Sequence, residues 1–350
     1  MGRGTQPIAA RLVGAAVAGW CAILAGAAHA QPSQAWTWCV NKENAPADLQ
    51  INGCTTVIQS GNENQKNRSV AFNNRGNAYR TKGNLDTALA DYNQAIRLDP
   101  NNAYAYTGRG NVYNDKHDYD RAIADYGQAL RLDPTNARPH IGRGDAYRAK
   151  GDLDTALADY DEALRLDPNS AFAYTGRGNV YSDQRAYDRA IVDYNEALRI
   201  DPAYTAAING RSIAYTNKGQ FERALQGYDQ LVGMEPRVAR WWNGRCWDRA
   251  ILDQLQAALA DCNEAVRLKP DDPYIRDSRA FVYLKLAQFD NAIADYDAAL
   301  KLDPKLVTSL FGRGLAKRRK GDAAGGAADM AAATAVRADV AVEFAGYGLR

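Results

Sequence analysis

The chain has 350 residues, 46% of them apolar and 24% charged, enough length and hydrophobicity for a substantial core, which excludes a disordered tail. Its 43 basic and 41 acidic residues nearly cancel, so the clustered positive charge that phosphate binding needs is missing and nucleic acid is not an expected partner. Only three histidines are present, His29, His117 and His140, widely spaced, which argues against imidazole catalysis and His-rich metal sites.

In chain order, residues 1–30 carry Arg3 and Arg11, an apolar run from Leu12 to about Ala28, and Ala28-His29-Ala30 before Gln31. These are the parts of a secretory signal peptide, with cleavage expected after Ala30. A membrane-spanning reading fails: the run is rich in Gly and Ala, and Gln31-Pro32-Ser33-Gln34 follows it without a basic cluster. Cys21 leaves with the peptide, since Trp20 stands where bacterial lipoprotein signals carry a small residue. The expected location is periplasmic or secreted. In that oxidising setting the remaining cysteines, Cys39, Cys54, Cys246 and Cys262, read as two disulfides. Residues 31–68 read as an N-terminal cap, in which a Cys39–Cys54 bridge beside Trp36 and Trp38 stabilises by about 3 kcal/mol on loop-entropy grounds.

From residue 69 the chain is periodic. Pro100, Pro134, Pro168, Pro202, Pro236, Pro270 and Pro304 recur every 34 residues. With each proline at position 32 the units are 69–102, 103–136, 137–170, 171–204, 205–238, 239–272, 273–306 and a degenerate 307–340, with 341–350 as a tail. Each unit reads as two helices joined by a turn: Tyr106, Gly110 and Tyr113 share one helical face, and Ala122, Tyr126 and Ala129 another. Gly83, Gly151, Gly219 and Gly321 mark turns, and Asp86, Asp120, Asp154 and Asp188 stand where second-helix caps are expected. Proline then ends the second helix. Gly at position 8 and Ala at position 20 allow close helix approach, and Tyr at position 24 fills the space beside that contact. One hairpin cannot bury its own apolar stripe, so the units are expected to stack into an all-α solenoid.

The recurring Tyr106, Gly110, Tyr113, Ala122, Tyr126, Ala129 and Pro134 pattern resembles the tetratricopeptide repeat, with that family's position-4 Trp kept only as Trp242. The resemblance implies a right-handed superhelical array of helix-turn-helix units, lined inside by positions 2, 5, 9 and 12 and binding peptides or partner proteins there. Units one and two resemble units three and four more than each other, which reads as a 68-residue duplication.

Position 7, usually Leu in that family, is Arg in all eight units: Arg75, Arg109, Arg143, Arg177, Arg211, Arg245, Arg279 and Arg313. Position 23 is Asp in seven: Asp91, Asp125, Asp159, Asp193, Asp261, Asp295 and Asp329. The expected arrangement is an ion pair between the two helices of each unit, setting register. Gly227 replaces the Asp of unit five, which makes Arg211 the arginine open to a ligand. In unit six Cys246 replaces the position-8 Gly and Cys262 the position-24 Tyr, a paired change that reads as a second disulfide; the alternative is a free thiol pair, though no C-x-x-C spacing is present.

The candidate groove residues are Asn73, Asn77, Tyr104, Thr107, Asn111, Asp145, Phe172, Thr175, Asn179 and Arg211. A row of carboxamides can bond an extended peptide backbone whatever its sequence; the competing reading is a merely solvated polar face. Beyond unit four the stripe turns apolar with Ile213, Trp247, Phe281, Phe311 and Leu315. The tail residues Val342, Phe344, Tyr347 and Leu349 are the preferred cover for it, ahead of a hydrophobic partner or a second copy. The basic run Lys317-Arg318-Arg319-Lys320 offers the one route to a membrane surface, and otherwise reads as a solvated helix end.

No H-E-x-x-H, P-loop or C-x-x-C motif is present, and Gly108-Arg109-Gly110 recurs within first helices as packing rather than as a phosphate loop. The expectation is an exported, non-catalytic adaptor without cofactor or metal, with a peptide segment or partner protein in the groove. The alternatives are envelope glycan recognition, through rings such as Tyr104, Phe172 and Tyr274, or a structural place in an outer-membrane or secretion assembly.

Overall fold

The structure, a computed structural model, describes residues 32–41 and 44–349; the expected signal peptide and its cleavage point lie outside them. Helices α1 (Pro32–Cys39) and α2 (Ala47–Gln59) precede eight hairpins. These are α3 (Gln65–Thr81) with α4 (Leu85–Leu98), α5 (Ala103–Asp115) with α6 (Tyr119–Leu132), α7 (Ala137–Ala149) with α8 (Leu153–Leu166), and α9 (Ala171–Asp183) with α10 (Tyr187–Ile200). There follow α11 (Thr205–Asn217) with α12 (Phe221–Met234), α13 (Ala239–Ile251) with α14 (Leu255–Leu268), α15 (Pro273–Lys285) with α16 (Phe289–Leu302), and α17 (Val307–Lys320) with α18 (Ala323–Val336). A short α19 (Val340–Gly346) ends the chain. Successive hairpins pack side by side, and the described residues contain no strand: the fold is an all-α solenoid. The first unit departs from the 34-residue frame in one respect. Its helix begins at Gln65, ahead of residue 69, because the Asn64 side chain accepts the Asn67 amide and caps the helix there.

The turns correct one expectation. Second helices start one residue before the acidic residues expected to cap them, so the cap position falls two residues earlier, where Asp118 accepts from the Arg121 amide and Asp152 from that of Thr155. Asp86, Asp120 and Asp188 lie in the first turn instead and reach forward to Lys116, Lys150 and Lys218 of the following unit. The turns marked by four glycines in the sequence share a left-handed residue with the other four, so all eight units have one. Gly83, Gly151, Gly219 and Gly321 adopt this conformation freely, while His117, Arg185, Asp253 and Ala287 are held at φ of 57–60°.

Packing inside and between units depends on the position-24 tyrosine. Tyr92, Tyr126, Tyr160 and Tyr194 are buried beside fully buried position-20 alanines, each ring against the position-8 glycine of its own unit. Each ring also presses on the position-6 glycine of the next unit: a Cβ at Gly142 would lie 2.5 Å from Cζ of Tyr126. Unit six has Cys262 in place of the tyrosine, and the following position 6 relaxes to Ser278. There Cys246 and Cys262 form a disulfide joining α13 to α14, and Cys39–Cys54 joins α1 to α2.

The arginine series sets register. In the seven units that have the aspartate, Nε and Nη2 of the arginine grip both carboxylate oxygens at 2.6–2.9 Å. The third nitrogen, Nη1, crosses at 2.7–3.0 Å to the preceding element, α2 for unit one and the preceding hairpin thereafter, reaching Thr55, Asn93, Asp161, Asn195, Asp229, Asn263 and Asp297 in turn. Arg143 lacks that contact because Gly127 occupies the place, and His140 joins it on Asp159 at 2.9 Å. Burial pushes the Asp159 carboxyl up, but the hydrogen bonds from Arg143 and His140 outweigh burial and hold it below the usual range.

Candidate functional site: the concave groove

Three cavities of about 700, 410 and 510 Å³ open along the first helices of units two to eight. Asn111, Asp145 and Phe172 line the first, and Asn179, Asn209 and Ile213 the second. Thr216, Trp247, Asp248 and Asp277 line the third, with Arg337 contributed from the end of the last unit and Glu343 from the tail.

The position-9 residues form rungs that sequence reasoning missed. The Tyr92 hydroxyl donates to Asn77 Oδ1 at 2.7 Å, Tyr126 to Asn111 at 2.8 Å, Tyr160 to Asp145 at 2.5 Å and Tyr194 to Asn179 at 2.8 Å. Burial raises all four hydroxyls above their usual range, so they remain donors. A tyrosine hydroxyl has one proton to give, and in each rung it goes to the position-9 oxygen. Each Asn oxygen is therefore committed, and its NH2 group is left for the groove. Asp145 presents a second carboxylate oxygen instead; its side chain reaches solvent, while desolvation by the surrounding protein raises its carboxyl despite the Tyr160 bond. Two ion pairs brace these rungs, Arg80 with Asp115 and Arg148 with Asp183, 68 residues apart like the duplication itself.

Other candidate residues lie elsewhere. Asn73, Thr107 and Thr175 are buried, not groove-lining: Asn73 donates to Asn74, Thr107 to the Ala103 carbonyl, and Thr175 Oγ1 has no partner. Position 5 thus turns into the junction between hairpins. Arg211 also leaves the groove, since its Nη1 bonds Asn195 on α10 while its neighbours Asn209, Gly210 and Ile213 line the second cavity. Tyr104, Phe172 and Tyr274 are about 60% exposed; Phe172 and Tyr274 line the first and third cavities, and Phe172 lies against Tyr204 at a ring separation of 5.1 Å.

The apolar half is covered from within. Tyr347 meets Trp247 and Phe281 at 5.4 and 5.7 Å between ring centres, and Phe344 meets Phe311 at 4.9 Å. Val340, Phe344 and Leu349 are buried with Phe281, Phe311 and Leu315, and Arg337 pairs with Glu343 beside them. Val342, expected in this contact, points to solvent, and Ile213 lies ahead of the tail, half exposed in the second cavity. In the basic run, Lys317 pairs with Asp329 and Lys320 with Asp290.

Two carboxylates in the third cavity were not anticipated. Asp248 is fully buried at position 10, where the other units have Ala or Val, and among the described residues only the Thr216 hydroxyl bonds it, at 3.0 Å. Desolvation raises its carboxyl to about 7. Asp277 accepts from Ser309 and Thr308 at 2.5 and 3.0 Å, and burial still raises it to about 6. Their signal was a charge at repeat positions that are neutral in every other unit. Among the described residues no group of three or more His, Cys, Asp or Glu is placed to hold a metal ion, and no helix is long and apolar enough to cross a membrane.

Sequence models described as TPR repeat match residues 76–116, 110–147 and 144–185, and others described as tetratricopeptide repeat match 171–204, 210–273 and 277–306. The chain belongs to the tetratricopeptide repeat family. Among solved structures it is similar to the APC/C hetero-tetramer Cut9–Hcn1, with a TM-score of 0.65 and 16% identity over 81% of this chain. It spans 54%, about half, of that chain. A tetratricopeptide repeat protein from Parabacteroides merdae gives a TM-score of 0.54 and 20% identity, covering 71% of this chain and 98% of the other. Pseudomonas aeruginosa pilF gives 0.55 and 19%, covering 62% and 98%. These likenesses establish the fold. No curated protein is a significant match to the sequence. By family and architecture the chain is a protein-interaction scaffold, of a family that is generally non-catalytic.

Proposed function

We propose that the protein is an exported, non-catalytic adaptor that holds a peptide segment or an extended loop of a partner protein in the groove of units one to four. The observation that carries this reading is the set of position-9 rungs. Each tyrosine hydroxyl occupies one side of a carboxamide, so the NH2 groups of Asn77, Asn111 and Asn179 stand ready for acceptors on a ligand. Peptide carbonyls supply acceptors at regular intervals whatever the side chains. The ordering cost is met in advance by the Tyr–Asn bonds, which fix the side chains that would otherwise lose rotamer freedom on binding. Covering of the apolar half by α19 directs an extended ligand toward the N-terminal units. Export rests on residues 1–30 and on the two disulfides, which persist in an oxidising compartment.

The test has two parts. N-terminal sequencing of protein recovered from the exporting cell should start at Gln31, and an intact Met1 start would contradict export. Peptides selected from a random library on the wild-type protein should lose affinity about tenfold for Asn77→Ala/Asn111→Ala, with an unchanged melting temperature; equal affinities would remove the rungs from the account. The exposed rings of Tyr104, Phe172 and Tyr274 favour a second reading, envelope glycan recognition, in which a polysaccharide pull-down succeeds and peptide selection fails.

A further inference from the structure

Unit five carries the arginine of the register series without its carboxylate. Arg211 keeps the Nη1 bond to the preceding hairpin, at 2.8 Å from Asn195 Oδ1, but Gly227 stands where seven units supply an aspartate. No described residue takes over the remaining two donors. Ser212 replaces the position-8 glycine and its oxygen occupies the place where a Cβ on residue 227 would fall, yet its hydroxyl turns back to the Ile208 carbonyl at 2.9 Å. Asp193 of unit four and Asp229 of unit five are committed elsewhere, to Arg177 and Arg245. In four units the arginine also lies over the position-4 ring, of Phe72, Tyr106, Tyr174 and Trp242; in unit five that residue is Ile208. Neither Nε nor Nη2 of Arg211 is among the buried polar atoms without a partner, so both reach solvent.

We infer that Arg211 is a preformed carboxylate-binding site outside the lining of the groove cavities, taking a carboxylate brought by a partner where the sister units use their own. The same chain shows the bound geometry seven times over, Nε and Nη2 each donating to one carboxylate oxygen at 2.6–2.9 Å. Asn195 holds the guanidinium from its third nitrogen, so the two-donor edge is aimed before the ligand arrives, unlike that of a surface arginine that must be ordered on binding. The planar edge matches the two oxygens of a carboxylate, a match a lysine cannot make. The ligand's carboxylate belongs to an Asp or Glu side chain or to a chain terminus. The site lies outside the groove and stands or falls independently of peptide binding there.

The test follows the Nε–H resonances of the whole disulfide-bonded chain in ¹⁵N-labelled protein, with the Arg211 signal assigned by its loss in Arg211→Gln. The probes are N-acetyl-aspartate methylamide for a side-chain carboxylate, N-acetyl-alanine for a terminal one, and N-acetyl-asparagine methylamide as the neutral control. Arg138, exposed and without a side-chain partner, serves as the internal reference for ordinary charge attraction. The expected result is a saturable downfield shift of Arg211 toward the position of the seven paired arginines, at least tenfold tighter than at Arg138 and absent with the neutral control. The probe that saturates identifies the source. Ser212→Gly/Gly227→Asp restores the pattern of the first four units; it should fold, place Arg211 with the paired set and abolish the response. A response at Arg211 no stronger than at Arg138, or one that persists in that double variant, overturns the inference.

Discussion

Replacing Arg109 by alanine isolates what the register ion pairs contribute. Arg109 Nε and Nη2 hold Asp125 at 2.7 Å each, Nη1 holds Asn93 at 2.8 Å, and the side chains are 21% and 9% exposed. Removing one partner of a wholly buried pair costs about 3–5 kcal/mol, because the other charge stays buried and uncompensated. A guanidinium one-fifth open to water is partly screened, so the expected loss is about 2–3 kcal/mol. Asp125→Ala should cost less, about 1–2 kcal/mol, since the freed arginine can swing into solvent. Arg109→Met/Asp125→Leu should recover most of the loss, because no unpaired charge remains. A solenoid opens unit by unit, so the effect belongs to local protection rather than to one melting temperature. Native-state hydrogen exchange of the α5 and α6 amides should speed up roughly 30- to 150-fold in Arg109→Ala, at tenfold per 1.4 kcal/mol. If the single and double variants lose the same protection, the pair is a surface contact and the register argument is wrong.

Gly142→Ala would place a Cβ 2.5 Å from Cζ of Tyr126 and 2.7 Å from its oxygen, so overpacking should cost about 1–3 kcal/mol in urea unfolding, and a neutral result would show that the ring can yield. Ala287→Gly should stabilise by about 0.5–1 kcal/mol, because an exposed alanine is held at φ 58° where glycine is unstrained; a loss of stability would contradict this. Asp248→Val should raise stability at pH 8 by up to about 4 kcal/mol, the value of a carboxyl raised from its unfolded 3.9 to about 7. The unfolded chain binds fewer protons at this group between those values, so wild-type stability falls as pH rises from about 4 to 7 and levels above. Unfolding midpoints across that range should flatten in the variant; an unchanged slope would place the pH dependence on another group.

Much of this was legible because the chain repeats, so that departures from its own pattern stand out. The 34-residue proline period, with small residues at positions 8 and 20, defined the hairpins. The joint presence of Arg at position 7 and Asp at position 23 gave the ion pairs. Other features needed the third dimension. An acidic residue in the first turn of a helix and one at its cap look alike in sequence, so Asp120 was misread for Asp118. Left-handed turns at His117 and Ala287 carry no glycine to announce them. Asn73, Thr107 and Thr175 are polar, yet they are buried. The Tyr–Asn rungs did leave a trace: polar position 9 accompanies Tyr at position 24 through unit four. Where position 9 turns apolar, Tyr228 uses Thr216, and the buried Tyr296 hydroxyl has no partner.

The most direct test of the central claim is photo-crosslinking from the groove in the living cell. A photoreactive residue at Asn111, with a control at Gln128 on the second helix of the same unit, is activated in the exporting cell and the adducts identified by mass spectrometry. A discrete protein adduct from position 111 alone is the predicted result, and it names the partner; no adduct, or the same adducts from both positions, contradicts a groove-binding adaptor.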